Sequence, residues 1–229
     1  MRLLIQSITS LILWIRHILG ITINNDHSTQ LKINLGCGLA VTQGWINIDG
    51  SFNALIAPLP LAIHKIAYKL SGSNHYYTFD EYHKLLKNNI FYQANLNNGI
   101  PTKDNSIDYI YTSHFLEHLY PEDAKKLIQD SYRTLKNGGL IRIIVPDLDY
   151  AIKLFNEDKK KQALDSYFFN GGSKFDQHKY MYDYVILHDL LKASGFSNIS
   201  KLQYKTGLCP DIEILDKYQA ESIFVEATK

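Results

Sequence analysis

Residues 31–49 read LKINLGCGLAVTQGWINID, and they decide the architecture. Ile33 and Leu35 alternate with Lys32 and Asn34, and Ile46 and Ile48 flank Asn47, so the stretch predicts two short strands entering the same edge of a sheet. The first ends in Gly36-Cys37-Gly38 and the second in Asp49. Glycines after a strand let the backbone turn sharply and let a ligand approach where a Cβ would collide. An acid ending the next strand is placed to accept hydrogen bonds from both hydroxyls of a ribose. A dinucleotide fingerprint needs a third glycine where Val41 stands, and an acid about 20 residues on, whereas Asp49 comes sooner. About ten residues link the two strands, near the minimum for a parallel crossover, which leaves at most a turn of helix to face a pyrophosphate. These residues favour an adenosine carried without phosphates. An ordinary tight turn between strands is the alternative they leave open.

Further stretches agree with the first. Leu35-Gly36-Cys37-Gly38, Gly44-Trp45-Ile46-Asn47-Ile48-Asp49, Ser113-His114-Phe115-Leu116-Glu117-His118, and Leu135-Lys136-Asn137-Gly138-Gly139 followed by Val145-Pro146-Asp147 resemble class I S-adenosylmethionine-dependent methyltransferases. Within that class the chain most resembles the small methyltransferases met beside enzymes of cell-surface polysaccharide synthesis. The resemblance spans residues 31–227. It implies a doubly wound, mostly parallel, Rossmann-like α/β sheet with an antiparallel C-terminal strand pair, and S-adenosylmethionine as cofactor. It also implies that Leu35, Gly36, Cys37 and Gly38 surround the methionine part and Asp49 takes the ribose hydroxyls. Asn95 and Leu96 would then read the adenine, with Ser113 and His114 flanking the sulfonium. Two features depart from the pattern: the helix usual between the first two strands is all but absent, and Asn95 stands where the family has Asp.

At 229 residues with 45% hydrophobic content, the chain suits one α/β domain with a substantial core. A net charge of +1 supplies no general attraction for phosphate backbones, so nucleic acid is disfavoured as substrate. Two cysteines, Cys37 and Cys209, make no disulfide framework and point to a reducing, cytoplasmic compartment. Sixteen tyrosines suit a surface that stacks on ring-shaped ligands, and equally suit a simple composition bias.

Residues 1–30 read as an amphipathic helix and linker. Leu4, Ile8, Leu11, Ile15 and Ile18 form one stripe flanked by Ile5, Ile12 and Leu19, and residues 24–30 are polar. The helix is too polar for a membrane span, with Gln6, Ser7, Arg16 and His17 breaking its apolar runs. It is expected to pack on the sheet ahead of the first strand. Peripheral membrane contact through residues 3–19 is the other use of the same stripe. Residues 31–229 form the catalytic domain. Within it, residues 51–90 read as a helical insertion, a lid or substrate wall, in which Thr78-Phe79-Asp80-Glu81 makes a capping box. Strands are predicted at 90–94, 107–112, 140–145, 199–204 and 223–227, and helices at 121–136 and 184–194.

His114-Phe115-Leu116-Glu117-His118 also matches H-x-x-E-H, a zinc-protease motif. That motif needs a long helix and a distant third ligand, whereas these residues follow a strand directly and reach Pro121, a first-turn proline, within three residues. A zinc metalloprotease is therefore a remote alternative, no metal ligand is assigned, and His118 and Leu116 read as packing against the sheet.

The favoured reading is methyl transfer to a hydroxyl of a sugar, other glycan or small metabolite. A non-catalytic binding or scaffold module on the same fold is the rival, and Asn95 is the feature that favours it. In-line displacement asks the protein chiefly to align the reactants, with a base needed where the acceptor keeps its proton. Among nine histidines, His114 ends a central strand, and His178 lies in the aromatic-rich segment 174–182, which has no clean period and reads as a substrate loop. His178 is the candidate base and His114 the positioning group.

Overall fold

The structure, a computed structural model, describes residues 2–20, 22–23, 30–168 and 177–229. The linker expected at 24–30 thus lies almost wholly outside the described residues, as does the part of the expected substrate loop before residue 177.

Among the described residues, seven strands form one sheet in the order β3-β2-β1-β4-β5-β7-β6. They are β1 Lys32–Leu35, β2 Ile46–Asp49, β3 Ile90–Gln93, β4 Ile107–Ser113, β5 Leu135–Pro146, β6 Ser197–Leu202 and β7 Ser222–Thr228. The first five run parallel, and β7 inserts antiparallel between β5 and β6. This is the expected doubly wound sheet with its antiparallel C-terminal pair. No helix separates β1 from β2. The crossing is instead a coil held by Gly36 N–H to Ile48 O at 2.9 Å, and by the Asn34 amide, which donates to Ala40 O at 2.9 Å.

Nine helices complete the described fold: α1 Arg2–Ile18, α2 Phe52–Ile56, α3 Leu61–Leu70, α4 Phe79–Asn88, α5 Pro121–Thr134, α6 Leu148–Asn156, α7 Lys160–Ala163, α8 Tyr184–Ala193 and α9 Ile212–Leu215. Alternation along the strands sorts the sheet into two unlike faces. Ile33, Leu35, Ile48, Ile110, Ile141, Ile143 and Val145 pack against Ala124, Leu127 and Ile128 of α5 and Leu187 and Leu191 of α8. The other face carries Asn34, Asn47, Tyr111, Arg142 and Glu226, all buried. Residues 203–216 close it, with Cys209, Ile212 and Leu215 packing beside Trp45, Tyr111 and Phe224. Arg142 Nε donates to Asp216 Oδ1 at 3.0 Å and its Nη1 to Glu226 Oε1 at 2.8 Å, so a charge in the middle of a central strand is paired within the layer that covers it.

Two expectations change. Helix α5 stops at Thr134 rather than 136, because Leu135, fully buried, already pairs with Ile107 of β4, and Lys136 reaches Asp108 at 2.8 Å. Helix α1 packs chiefly on the insertion, beside the end of β3. It contacts α2, and Leu13 with Gly20 and Thr22 overhangs the loop after β3, while Leu11, Trp14, Ile15, Ile18 and Leu19 face outward. The face it was expected to cover is taken by α5 and α8 on one side and by residues 203–216 on the other. No helix among the described residues is long and apolar enough to cross a membrane.

The insertion has its own core of Ile56, Ala57, Ala67, Tyr82 and Leu86, into which Leu39 of the glycine turn and Phe91 of β3 pack. The Thr78–Glu81 capping box is formed as expected, with Thr78 N–H donating to Glu81 at 2.8 Å.

Candidate active site

Parallel register brings the ends of β1, β2, β3, β4 and β5 to one edge: Leu35 lies opposite Ile48 and Thr112, Asp49 opposite Gln93, and Ser113 opposite Ile144. The residues singled out in the sequence therefore gather along this edge, but their side chains divide into two groups.

The first group surrounds the glycine turn. Gly36 and Gly38 both have positive φ, +62° and +51°. Asp49 accepts the Gly38 N–H at 2.8 Å and the Ser51 N–H at 2.7 Å, one on each carboxylate oxygen, so it clamps the turn while each oxygen keeps a further lone pair. The reason for glycine at 36 differs from the expectation. A Cβ there would stand 2.0 Å from Cγ of Phe115, so the close approach is made by the protein's own ring. At Gly38 a Cβ would meet nothing within 4 Å, and this open cradle is the one beside Asp49. Leu35, Cys37 and Leu96 are buried, with the Cys37 thiol pushed well above its usual range by burial and then by Asp49, which leaves their backbones as the parts available to a ligand. Asn95 is exposed, and its carbonyl accepts the Asn97 N–H at 3.1 Å, capping its own turn.

The second group lines a cavity of about 270 Å³ where β4 and β5 end, with His114, Glu117, His118 and His178 along its walls and Tyr167, Tyr218 and Glu221 around them. His114 follows Ser113 in a left-handed conformation, φ +50°, which swings the chain off the strand into the 3-10 turn Leu116–His118. Its Nε2 pairs with Ser222 Oγ at 3.0 Å, and its Nδ1 stands 3.5 Å from Glu117 Oε1. Burial, then the neighbouring His178 and His118, pull its pKa down to about 4, so it is neutral. His178 Nδ1 lies 2.7 Å from Tyr167 O. A carbonyl only accepts, so Nδ1 carries the proton and Nε2 offers its lone pair. Burial likewise lowers the His178 pKa. Glu117 is fully buried, and burial raises its pKa to about 8.

His178 reaches this cavity because the following residues are stitched to the turn after β4. Lys179 N–H donates to Glu117 O at 2.8 Å, and Lys179 Nζ donates to His118 O at 2.8 Å. Leu116 packs into the core as expected, but His118 lines the cavity instead of the sheet. Glu117, Tyr167, Tyr218 and Glu221 are the residues that sequence reasoning missed. H-x-x-E-H carried the signal for Glu117 and His118, while the tyrosines and Glu221 have no local signature.

Comparison with known proteins bears on the fold that carries these residues. Residues 61–143 match the methyltransferase domain family, a span that begins in the insertion and ends in β5. An uncharacterized protein of Methanocaldococcus jannaschii is 28% identical over 127 residues, 56% of this chain and 55% of the relative, so the chain spans about half the length of that relative. An S-adenosylmethionine-dependent methyltransferase of Thermotoga maritima superposes with a TM-score of 0.53 at 15% identity, over 88% of this chain and 82% of the other. The methyltransferase SibL gives 0.53 at 15% identity over 88% of this chain and 51% of its own. At such identities the superpositions speak for the fold. S-adenosylmethionine is the cofactor implied, and the residues present fit it: the cradle beyond Gly38 is open, and Asp49 borders it with acceptor capacity to spare. The chain thus carries a match to the methyltransferase domain family over residues 61–143 and shares the fold of S-adenosylmethionine-dependent methyltransferases.

Proposed function

We propose that the chain transfers the methyl group of S-adenosylmethionine to a hydroxyl of a sugar, other glycan or small metabolite seated in the cavity at the ends of β4 and β5. The observation that carries this reading is the meeting of three histidines and a buried glutamate in one cavity, on the same sheet edge as the Gly38–Asp49 cradle. Bound there, the cofactor supplies a methyl group on a positively charged sulfur. Asp49 would hold the ribose hydroxyls, and the Asn95 and Leu96 turn would border the adenine. Ser113 and His114 would lie between cradle and cavity. Neutral His114, tied to Ser222, positions the acceptor without bringing a positive charge toward the sulfonium. In the metal-free protein, the Nε2 lone pair of His178 is the base that fits, because it is unprotonated near neutral pH and approaches from the distant segment. The insertion would serve as a wall: Tyr77 is held above its usual pKa by burial and then by Tyr218, a residue of the cavity rim. A net charge of +1 supports a small or glycan acceptor over nucleic acid, and two buried free cysteines support a reducing compartment.

The Phe115 ring against Gly36 favours a second reading, a module that retains the fold without turnover. Calorimetry separates the two. Methyl transfer predicts binding of S-adenosylhomocysteine and none of NAD; absence of S-adenosylhomocysteine binding would favour the module. Incubating cell extract with the protein and isotopically labelled cofactor, followed by mass spectrometry, identifies the acceptor.

A further inference from the structure

The zinc-protease match is set aside in the sequence because its two histidines lack a helix and a third ligand. The fold supplies a different trio. Single ligand atoms of Glu117, His118 and His178 lie within 4.8 Å of one another, the first two from the turn after β4 and the third from a segment some sixty residues away.

Three features make this a built site. Glu117 is fully buried on the cavity wall, and neither of its carboxylate oxygens receives a hydrogen bond. A carboxylate taken out of water without donors is costly unless it is neutralised or paired with a cation. Both histidines have their other ring nitrogen directed to a backbone carbonyl, His118 Nδ1 to Gln177 O at 3.3 Å and His178 Nδ1 to Tyr167 O at 2.7 Å. A carbonyl holds the proton on Nδ1 and so leaves Nε2 the unprotonated nitrogen of each ring, with His118 Nε2 3.9 Å from Glu117 Oε1, the outer arrangement usual for metal-binding histidines. Finally, His114 Nδ1 stands 3.5 Å from Glu117 Oε1 while its Nε2 pairs with Ser222, which places an orienting group beside the carboxylate.

We propose that Glu117, His118 and His178 bind a divalent cation within the acceptor cavity. Two imidazoles and one carboxylate suit zinc or a neighbouring transition ion. Ligand bonds of roughly 2.0–2.2 Å set neighbouring ligand atoms roughly 3.3–3.5 Å apart around a tetrahedral ion, so the present spacing closes by side-chain rotation of about an ångström. Three protein ligands leave a position open toward the cavity. Resting on the methyl-transfer reading for this one point, the open position takes the acceptor oxygen, and in the loaded protein His178 is a ligand in place of a base.

The test is a titration of chelator-treated full-length protein with Co²⁺, followed by visible absorption, and with Zn²⁺ against a chromophoric chelator. One ion per chain is expected. Glu117→Gln, His118→Ala and His178→Ala should each weaken binding about 100-fold, whereas His188→Ala, on α8 away from the cavity, should leave it unchanged. Glu117→Gln keeps the side-chain shape; if it fails to fold, the two partly exposed histidines decide the matter. No ion bound by wild type, or binding that survives all three substitutions, overturns the site. Binding of S-adenosylhomocysteine is measured on the same sample. That ligand bound without a cation sinks the metal site alone, and a cation bound without that ligand sinks the methyl-transfer reading alone.

Discussion

Gly36 and Asp49 show how single residues at the edge of the sheet answer to more than one neighbour. Gly36 combines a positive φ with the Phe115 ring at Cβ distance, so Gly36→Ala should destabilise the fold by about 2 kcal/mol or more. Adding Phe115→Ala should recover the clash but not the backbone strain; full recovery in chemical denaturation would show that the backbone there is relaxed. Asp49 both ties the glycine turn and faces the open cradle. Asp49→Ala should weaken S-adenosylhomocysteine binding by about 2–3 kcal/mol, since bonds from two hydroxyls to a charged acceptor are lost. Equal affinity in calorimetry would remove Asp49 from the site. His178→Ala should leave that affinity within about threefold while cutting turnover on the identified acceptor about 100-fold. Normal turnover would mean that alignment alone suffices.

At the scale of elements, α1 is the outlier. Its amphipathic pattern is a sound helix signal, yet Leu11, Trp14, Ile15, Ile18 and Leu19 remain exposed, because both faces of the sheet are covered by other segments. An apolar stripe reports that a face needs a partner and not which partner it has. Deleting residues 1–22 should therefore change unfolding free energy by no more than about 1 kcal/mol, as surface changes do. A large loss in a denaturation curve would show that α1 is core after all, and co-sedimentation of intact and truncated protein with anionic vesicles tests the membrane use of the stripe.

Across the whole molecule, the least expected structure is the polar inner face closed by residues 203–216. Arg142 sits fully buried between Asp216 and Glu226, which also accept backbone N–H groups from Lys205, Leu208 and Cys209. Arg142→Leu should cost about 3–5 kcal/mol, because two carboxylates lose their cation in the interior. Thermal unfolding measures it; a neutral outcome would mean that the layer holds by apolar packing alone. The strands and their common edge were legible in the sequence, since the alternation of Ile33, Leu35, Ile46 and Ile48, the glycine turn and Asp49 are local signals with period 2 geometry behind them. The irregularity of its segment singled out His178, which lines the cavity. Alternation reports only that two faces differ, however, and does not say whether Asn34 and Asn47 face water or a covering layer, any more than one charge in an apolar run does for Arg142. Their burial, the Phe115 ring over Gly36, and the convergence of Glu117, His118 and His178 were decided by tertiary structure alone, because each depends on contacts between segments whose separation along the chain carries no periodic or local trace.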